Sequence, residues 1–156
     1  MLVFAYGSNM DWDQMRTRCP SARFLCVALL PDHALVFPRH SNNRNCGVSS
    51  VEPRAGRCVW GAVFEIDERD VPALDRSEGY VPGRPPERNA YIRRPIQVLD
   101  RGDATAPRTL EIYVANRQEG RFLPSKAYKA LIVSGAAKWD LPPDYRAELE
   151  RIETLD

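Results

Sequence analysis

Long apolar runs, an excess of one charge and histidine are what this sequence has least of, and each scarcity removes a class of function. The longest apolar stretches, such as Phe24 to Leu30 and Leu131 to Val133, fall far short of the roughly 20 residues a bilayer-crossing helix requires, so no membrane segment is expected. The first residues have neither a cationic flank nor an apolar leader core. They start directly with Leu2-Val3-Phe4-Ala5-Tyr6, which reads as a strand, and a cytoplasmic location is the expectation. Lys and Arg number 22 against 21 Asp and Glu, for a net charge of +1. Without a one-sided basic stripe, nucleic acid is not an expected partner, and a small polar ligand fits better. The two histidines, His33 and His40, make no compact metal-ligand set, and no glycine-elbowed serine stands ready to pair with either. The four cysteines, Cys19, Cys26, Cys46 and Cys58, form no Cys-x-x-Cys pair. A zinc knuckle and a redox dithiol are both unsupported, and buried free thiols are expected.

What is present is a chain of 156 residues, 44% apolar and 28% charged, enough for one domain spanning 1–156 with a continuous core. Thirteen prolines and nine glycines cut it into short elements without repeats. Leu2 to Tyr6 reads as a buried strand, Gly7-Ser8-Asn9 as a turn, and Asp11 to Arg18 as a short helix halted before Pro20. Strands are expected at Arg23 to Leu29, His33 to Pro38, Cys46 to Val51 and Cys58 to Ile66, with turns at Pro31-Asp32, Ser41 to Arg44 and Pro53 to Gly56. Asp67 to Glu78 changes to helical period, with Pro72 in its first turn and Gly79 as its cap. A Pro/Gly-rich loop, Val81 to Glu87, precedes strands around Ala90 to Leu99 and Thr109 to Ala115. A helix capped by Ser125 runs through Val133, and another runs from Pro142 through Leu155. This order predicts an α+β fold in which a mixed, mostly antiparallel sheet curls into a small barrel flanked by helices.

Chemistry concentrates at two places. Gly7 directly after a strand permits a tight turn, with Ser8 and Asn9 able to orient it through bonds to nearby main chain. The helix expected immediately afterwards brings unpaired N-terminal amides to the same point, a site for a carboxylate or a developing oxyanion. An ordinary strand-to-helix turn accounts for the tripeptide equally well. The second place is Leu74-Asp75-Arg76-Ser77-Glu78-Gly79, which sets a carboxylate in the last turn of a helix, where the dipole disfavours its charge. Partly buried near Asp75, Glu78 would have a raised pKa and exchange protons near neutral pH. A solvated surface glutamate is the alternative.

The string Val3-Phe4-Ala5-Tyr6-Gly7-Ser8-Asn9-Met10 resembles the signature of the γ-glutamylcyclotransferase family, and Leu74-Asp75-x-x-Glu78-Gly79 resembles that family's Leu-Asp-x-x-Glu-Gly pattern. The resemblance implies that Tyr6, Gly7, Ser8 and Asn9 hold the γ-glutamyl moiety through main chain and that Glu78 is the catalytic acid/base. The implied reaction closes 5-oxoproline from a γ-glutamyl compound by attack of its own α-amine, without a cofactor or metal. Pro124-Ser125-Lys126-Ala127-Tyr128 and Leu141-Pro142-Pro143-Asp144-Tyr145 are also similar to family segments. Tyr91 matches a tyrosine that helps form the pocket in relatives, and Tyr113 is a further candidate; core or cross-strand packing is open for both.

Arg93 and Arg94, as strand neighbours, face opposite sides, and a solvated face accounts for them. The leaving-group side is expected around Gly83 to Glu87 and Asn42 to Cys46. A γ-glutamyl amino acid, a γ-glutamylamine and a γ-glutamyl-protected metabolite all remain open as substrates. Glutathione is disfavoured, because relatives specific for it carry different residues after the Tyr-Gly-Ser start. A non-catalytic ligand-binding module is the reading from another class. The chain is expected to act as a monomer or homodimer.

Overall fold

Leu2–Ala5 form β1, a strand buried on both faces from Val3 onward, which is why it shows no apolar/polar alternation. The computed structural model describes residues 1–156, and β1 is central to it. β1 pairs antiparallel with β3 (Cys46–Glu65) and parallel with β5 (Pro107–Ala115). The remaining ladders, to β2 (Arg23–Ser41) and β4 (Tyr91–Asp100), are antiparallel and close a barrel in the order β1-β3-β2-β4-β5. The mixed barrel with flanking helices is the architecture expected from the order of elements.

Four expected middle strands are in fact two. β2 and β3 form one long hairpin, paired from Arg23↔Glu65 to Ser41↔Cys46. The turn-forming residues at Pro31-Asp32 and Pro53 to Gly56 face each other across it. They produce a register shift between Pro31 and His33 rather than a chain reversal, and Gly56 N donates to Asp32 Oδ1 at 3.0 Å across the irregularity. A second shift lies between Val36 and Arg39, around Pro38. Proline cannot donate to a ladder, so it appears here at bulges, which bend the hairpin around the barrel.

The helices differ from expectation at their ends. α1 runs Trp12–Arg18. The segment after β3 divides into a 3-10 turn, Glu68–Asp70, and α2, Val71–Ser77. α3 covers Lys126–Lys138, beyond Val133, and α4 covers Pro143–Glu150, short of Leu155. α3 extends because Trp139 at its end stacks on Phe24, with ring centroids 4.2 Å apart, and donates through Nε1 to Met10 O at 2.8 Å. No helix is long and apolar enough to cross a membrane. Cys19, Cys26 and Cys46 are buried thiols, but Cys58 is exposed, because it lies beside the hairpin irregularity.

Candidate active site

The end of β1 delivers Tyr6 and Gly7 against β3. A Cβ on Gly7 would stand 2.2 Å from Ser49 Oγ, a hydroxyl tied to Tyr128 Oη at 2.9 Å, so any side chain here forces that hydroxyl to shift. Ser8–Met10 then form a single 3-10 turn whose first bonds are Met10 N to Gly7 O and Asp11 N to Ser8 O. The amides of Ser8 and Asn9 precede the first bonded donor and have no carbonyl within the turn to reach. One expectation is corrected: α1 does not begin at once. The 3-10 turn of Ser8–Met10 intervenes, and Asp11 caps α1, Oδ1 accepting from Gln14 N at 2.9 Å, so the donors beside Glu78 come from the 3-10 turn and not from the start of α1.

Glu78 is the C-cap of α2, with Gly79 following at φ +64°, a left-handed conformation that favours glycine. Its side chain is only 12% exposed. Oε1 accepts from Asn9 Nδ2 at 2.6 Å and lies 3.6 Å from Arg18 Nη1. Burial pushes the Glu78 carboxyl above its ordinary range; Arg18 and the Asn9 hydrogen bond pull it partly back, and Asp75 adds a smaller upward push. The orientation of Asn9 is over-determined. Its Oδ1 accepts from Gln14 Nε2 at 3.1 Å and from Arg18 Nη1 at 2.7 Å, which leaves the NH2 group to face Glu78.

Around this pair stand four tyrosines. Tyr6 donates to Tyr113 O at 2.6 Å, and Tyr113 in turn donates to Asp75 Oδ1 at 2.6 Å. Tyr91 donates to Ser49 O at 2.6 Å, while Tyr128 accepts from Ser49 N at 3.1 Å. Burial is the leading cause that pushes all four phenols up, so they remain protonated. Tyr6, Gly7, Ser8, Asn9, Glu78, Tyr91 and Tyr113 all line one inner cavity of about 30 Å³. Ser8, Glu78, Tyr91 and Tyr128 also face an outer cavity of about 350 Å³ that opens beyond it.

Arg93 corrects the solvated-face reading. It reaches under α2, Nε 3.0 Å from Asp75 Oδ1 and Nη1 3.4 Å from Glu111 Oε1, while Arg94 is exposed. On the leaving-group side, Asn42, Asn43 and Arg44 line the outer cavity, but residues 83–87 do not. Arg84 folds back onto Asn89 Oδ1 and Gly79 O, at 2.8 and 3.1 Å, and holds that loop against its own base. The sequence reading missed Arg18, Arg44 and Ser49 as site residues, because nothing in their local patterns marks them. Tyr128 carried a signal, the Pro-Ser-x-x-Tyr segment. Ser125 caps α3 by accepting from Tyr128 N at 3.0 Å, and the helix start so defined sets Tyr128 into the cavity wall.

This arrangement sets main-chain donors beside a buried carboxyl whose pKa is raised by burial. Residues 3–131 match the family model described as gamma-glutamyl cyclotransferase, AIG2-like. The chain belongs to the γ-glutamylcyclotransferase family. It is 33% identical to a mouse gamma-glutamylcyclotransferase, over 97% of this chain and 78% of that relative. The human gamma-glutamylcyclotransferase is 31% identical over 99% and 80%, respectively. A solved gamma-glutamyl cyclotransferase structure superposes with a TM-score of 0.86 at 31% identity, covering 99% of this chain and 89% of that one. YkqA from Bacillus subtilis, at 19% identity and a TM-score of 0.76, shares the fold. Membership in this γ-glutamylcyclotransferase family makes the chain a cyclotransferase enzyme.

Proposed function

We propose that this enzyme releases 5-oxoproline from a γ-glutamyl amino acid, with Glu78 as the acid/base and the Tyr6 to Asn9 segment as the cradle for the glutamyl moiety. The observation that carries the reading is the buried Glu78 carboxyl, raised in pKa and held 2.6 Å from the Asn9 amide at the wall of the cavity lined by that segment. The Glu78 carboxylate takes a proton from the substrate α-ammonium. The freed amine attacks the γ-carbonyl carbon, and the amides of Ser8 and Asn9 are the donors available to the oxyanion. As the tetrahedral intermediate collapses, the carbon–nitrogen bond to the leaving group breaks, Glu78 returns the proton to the departing amine, and the ring nitrogen passes its second proton to the emptied carboxylate and on to the released amine, leaving a neutral lactam. Nucleophile and electrophile belong to one molecule, so the protein's task is to fold the substrate and carry protons from the attacking nitrogen to the leaving one.

Purified protein is expected to form 5-oxoproline from at least one member of a γ-glutamyl panel, and failure across the panel refutes the reading. A γ-glutamylamine or a γ-glutamyl-protected metabolite is the second reading; the arginines of the outer cavity favour an anionic leaving group over an amine. A cytoplasmic setting is proposed with it, supported by four free cysteines.

A further inference from the structure

The outer cavity is cationic out of proportion to the chain. Arg18, Arg39, Arg44 and Arg76 line it with a single carboxylate, that of Glu78, in a protein whose net charge is only +1. Arg18 is answered by Glu78 at 3.6 Å. Arg39, Arg44 and Arg76 take part in none of the molecule's ion pairs. Two of them are nevertheless held in place. Arg39 Nη1 donates to Asn116 O at 3.2 Å; Arg44 Nη2 donates to Gln14 Oε1 at 2.7 Å, and its guanidinium lies 4.9 Å over the Tyr128 ring. Their partners are neutral, so each keeps its full charge and further N–H donors for a ligand. Arg76 stands exposed in the last turn of α2, a position the helix dipole favours, which accounts for its stability there but not for the two arginines on the β2–β3 side.

The glutamyl part of the substrate carries one ammonium and one carboxylate, so it brings no net charge to this cavity. A leaving amino acid with one carboxylate would answer one of the three unpaired cations. Charges gathered in a cleft focus their field on whatever enters, and here they sit on more than one wall. We propose that the outer cavity selects a leaving group with two carboxylates, that is, an acidic amino acid, and that Arg39 and Arg76 are its specificity-determining residues. The proposal rests on the 5-oxoproline reading above and names the substrate class of the same site.

The test compares kcat/KM for γ-glutamyl-glutamate and γ-glutamyl-glutamine, which match in length and shape and differ by one charge. The acidic dipeptide is expected to be favoured about tenfold, the scale of one added charge-assisted hydrogen bond, with the difference carried by KM. The ratio shrinks as salt rises, because partly exposed charges are screened. Arg39→Gln and Arg76→Gln each move the ratio toward one, and Arg76→Glu reverses it. Arg76 is exposed and unbonded, so its variants carry the test even if Arg39→Gln fails to fold. Equal turnover of the two dipeptides, or a ratio unmoved in the Arg76 variants, overturns this proposal while the 5-oxoproline reading stands. Absence of 5-oxoproline from every γ-glutamyl compound overturns both.

Discussion

Asn9 and Glu78, 69 residues apart in the chain, meet through a 2.6 Å hydrogen bond from the Asn9 side-chain amide to the Glu78 carboxylate. The bond joins the turn after β1 to the cap of α2. It also favours the charged form of Glu78, against a burial that disfavours it.

Replacing Asn9 with alanine is therefore expected to raise the pKa of Glu78, because one of the two main influences that lower it is gone. The acid limb of the kcat/KM profile moves to higher pH, and activity at neutral pH falls. A pH–rate profile in which that limb stays put or moves down contradicts the assignment.

Glu78→Gln should lower kcat by about 10²- to 10⁴-fold, the usual contribution of a positioned acid/base, while the circular dichroism spectrum stays native. Its stability has a definite pH dependence. Burial raises the Glu78 pKa in the folded state, so between the ordinary glutamate value and the raised one the folded protein binds more protons than the unfolded chain. Wild-type stability contributed by this group is thus highest in acid and declines as pH rises through that window. Urea melts of the two proteins across pH should show the variant gaining on the parent as pH rises; a constant difference argues against a raised pKa.

Asp75 accepts from Tyr113 and pairs with Arg93 beneath the inner cavity. Asp75→Asn removes a carboxylate whose side chain is 6% exposed and leaves a guanidinium that is 21% exposed. A loss of about 2–3 kcal/mol is expected, at the low end for a broken buried pair because Arg93 keeps some solvent and its contact with Glu111. Tyr113→Phe costs about 1 kcal/mol, and the double variant costs less than the two together, since both sever one contact. Urea unfolding of the three variants measures this.

Gly7→Ala drives a methyl group to 2.2 Å from Ser49 Oγ. Overpacking of this kind costs about 1–3 kcal/mol. Adding Ser49→Ala removes the clashing oxygen and should recover part of the melting temperature. Activity is expected to stay low in the double variant, because Ser49 Oγ also bonds the Tyr128 hydroxyl at 2.9 Å. Recovery of full activity there would show that this contact does not organise the site.

The fold was legible where local signals agree with one another. β1 reads as buried from Val3-Phe4-Ala5, and the glycine following Glu78 marks the end of α2 as a left-handed residue would. Legibility failed where one signal has two geometric outcomes. Pro31-Asp32 and Pro53 to Gly56 carry turn chemistry, yet opposed across a hairpin they bend it instead of ending it. Arg93 likewise reads as a strand-face cation, and no local pattern tells that α2 brings Asp75 to meet it.

Residue type and order marked the turn at Tyr6 to Asn9 and the carboxylate at Glu78 as candidates, each with an ordinary structural alternative; the family resemblance of the two motifs singled them out and added Tyr91, while Tyr113 stood even between pocket and core. What they could not show is that all seven face one cavity, that Asn9 is aimed at Glu78 by Gln14 and Arg18, or that Ser49 and Tyr128 complete the wall. Those relations depend on closure of the barrel, which brings together segments far apart in the chain. The raised pKa of Glu78 arises the same way: its leading cause is burial, and burial exists only once the barrel has closed around it.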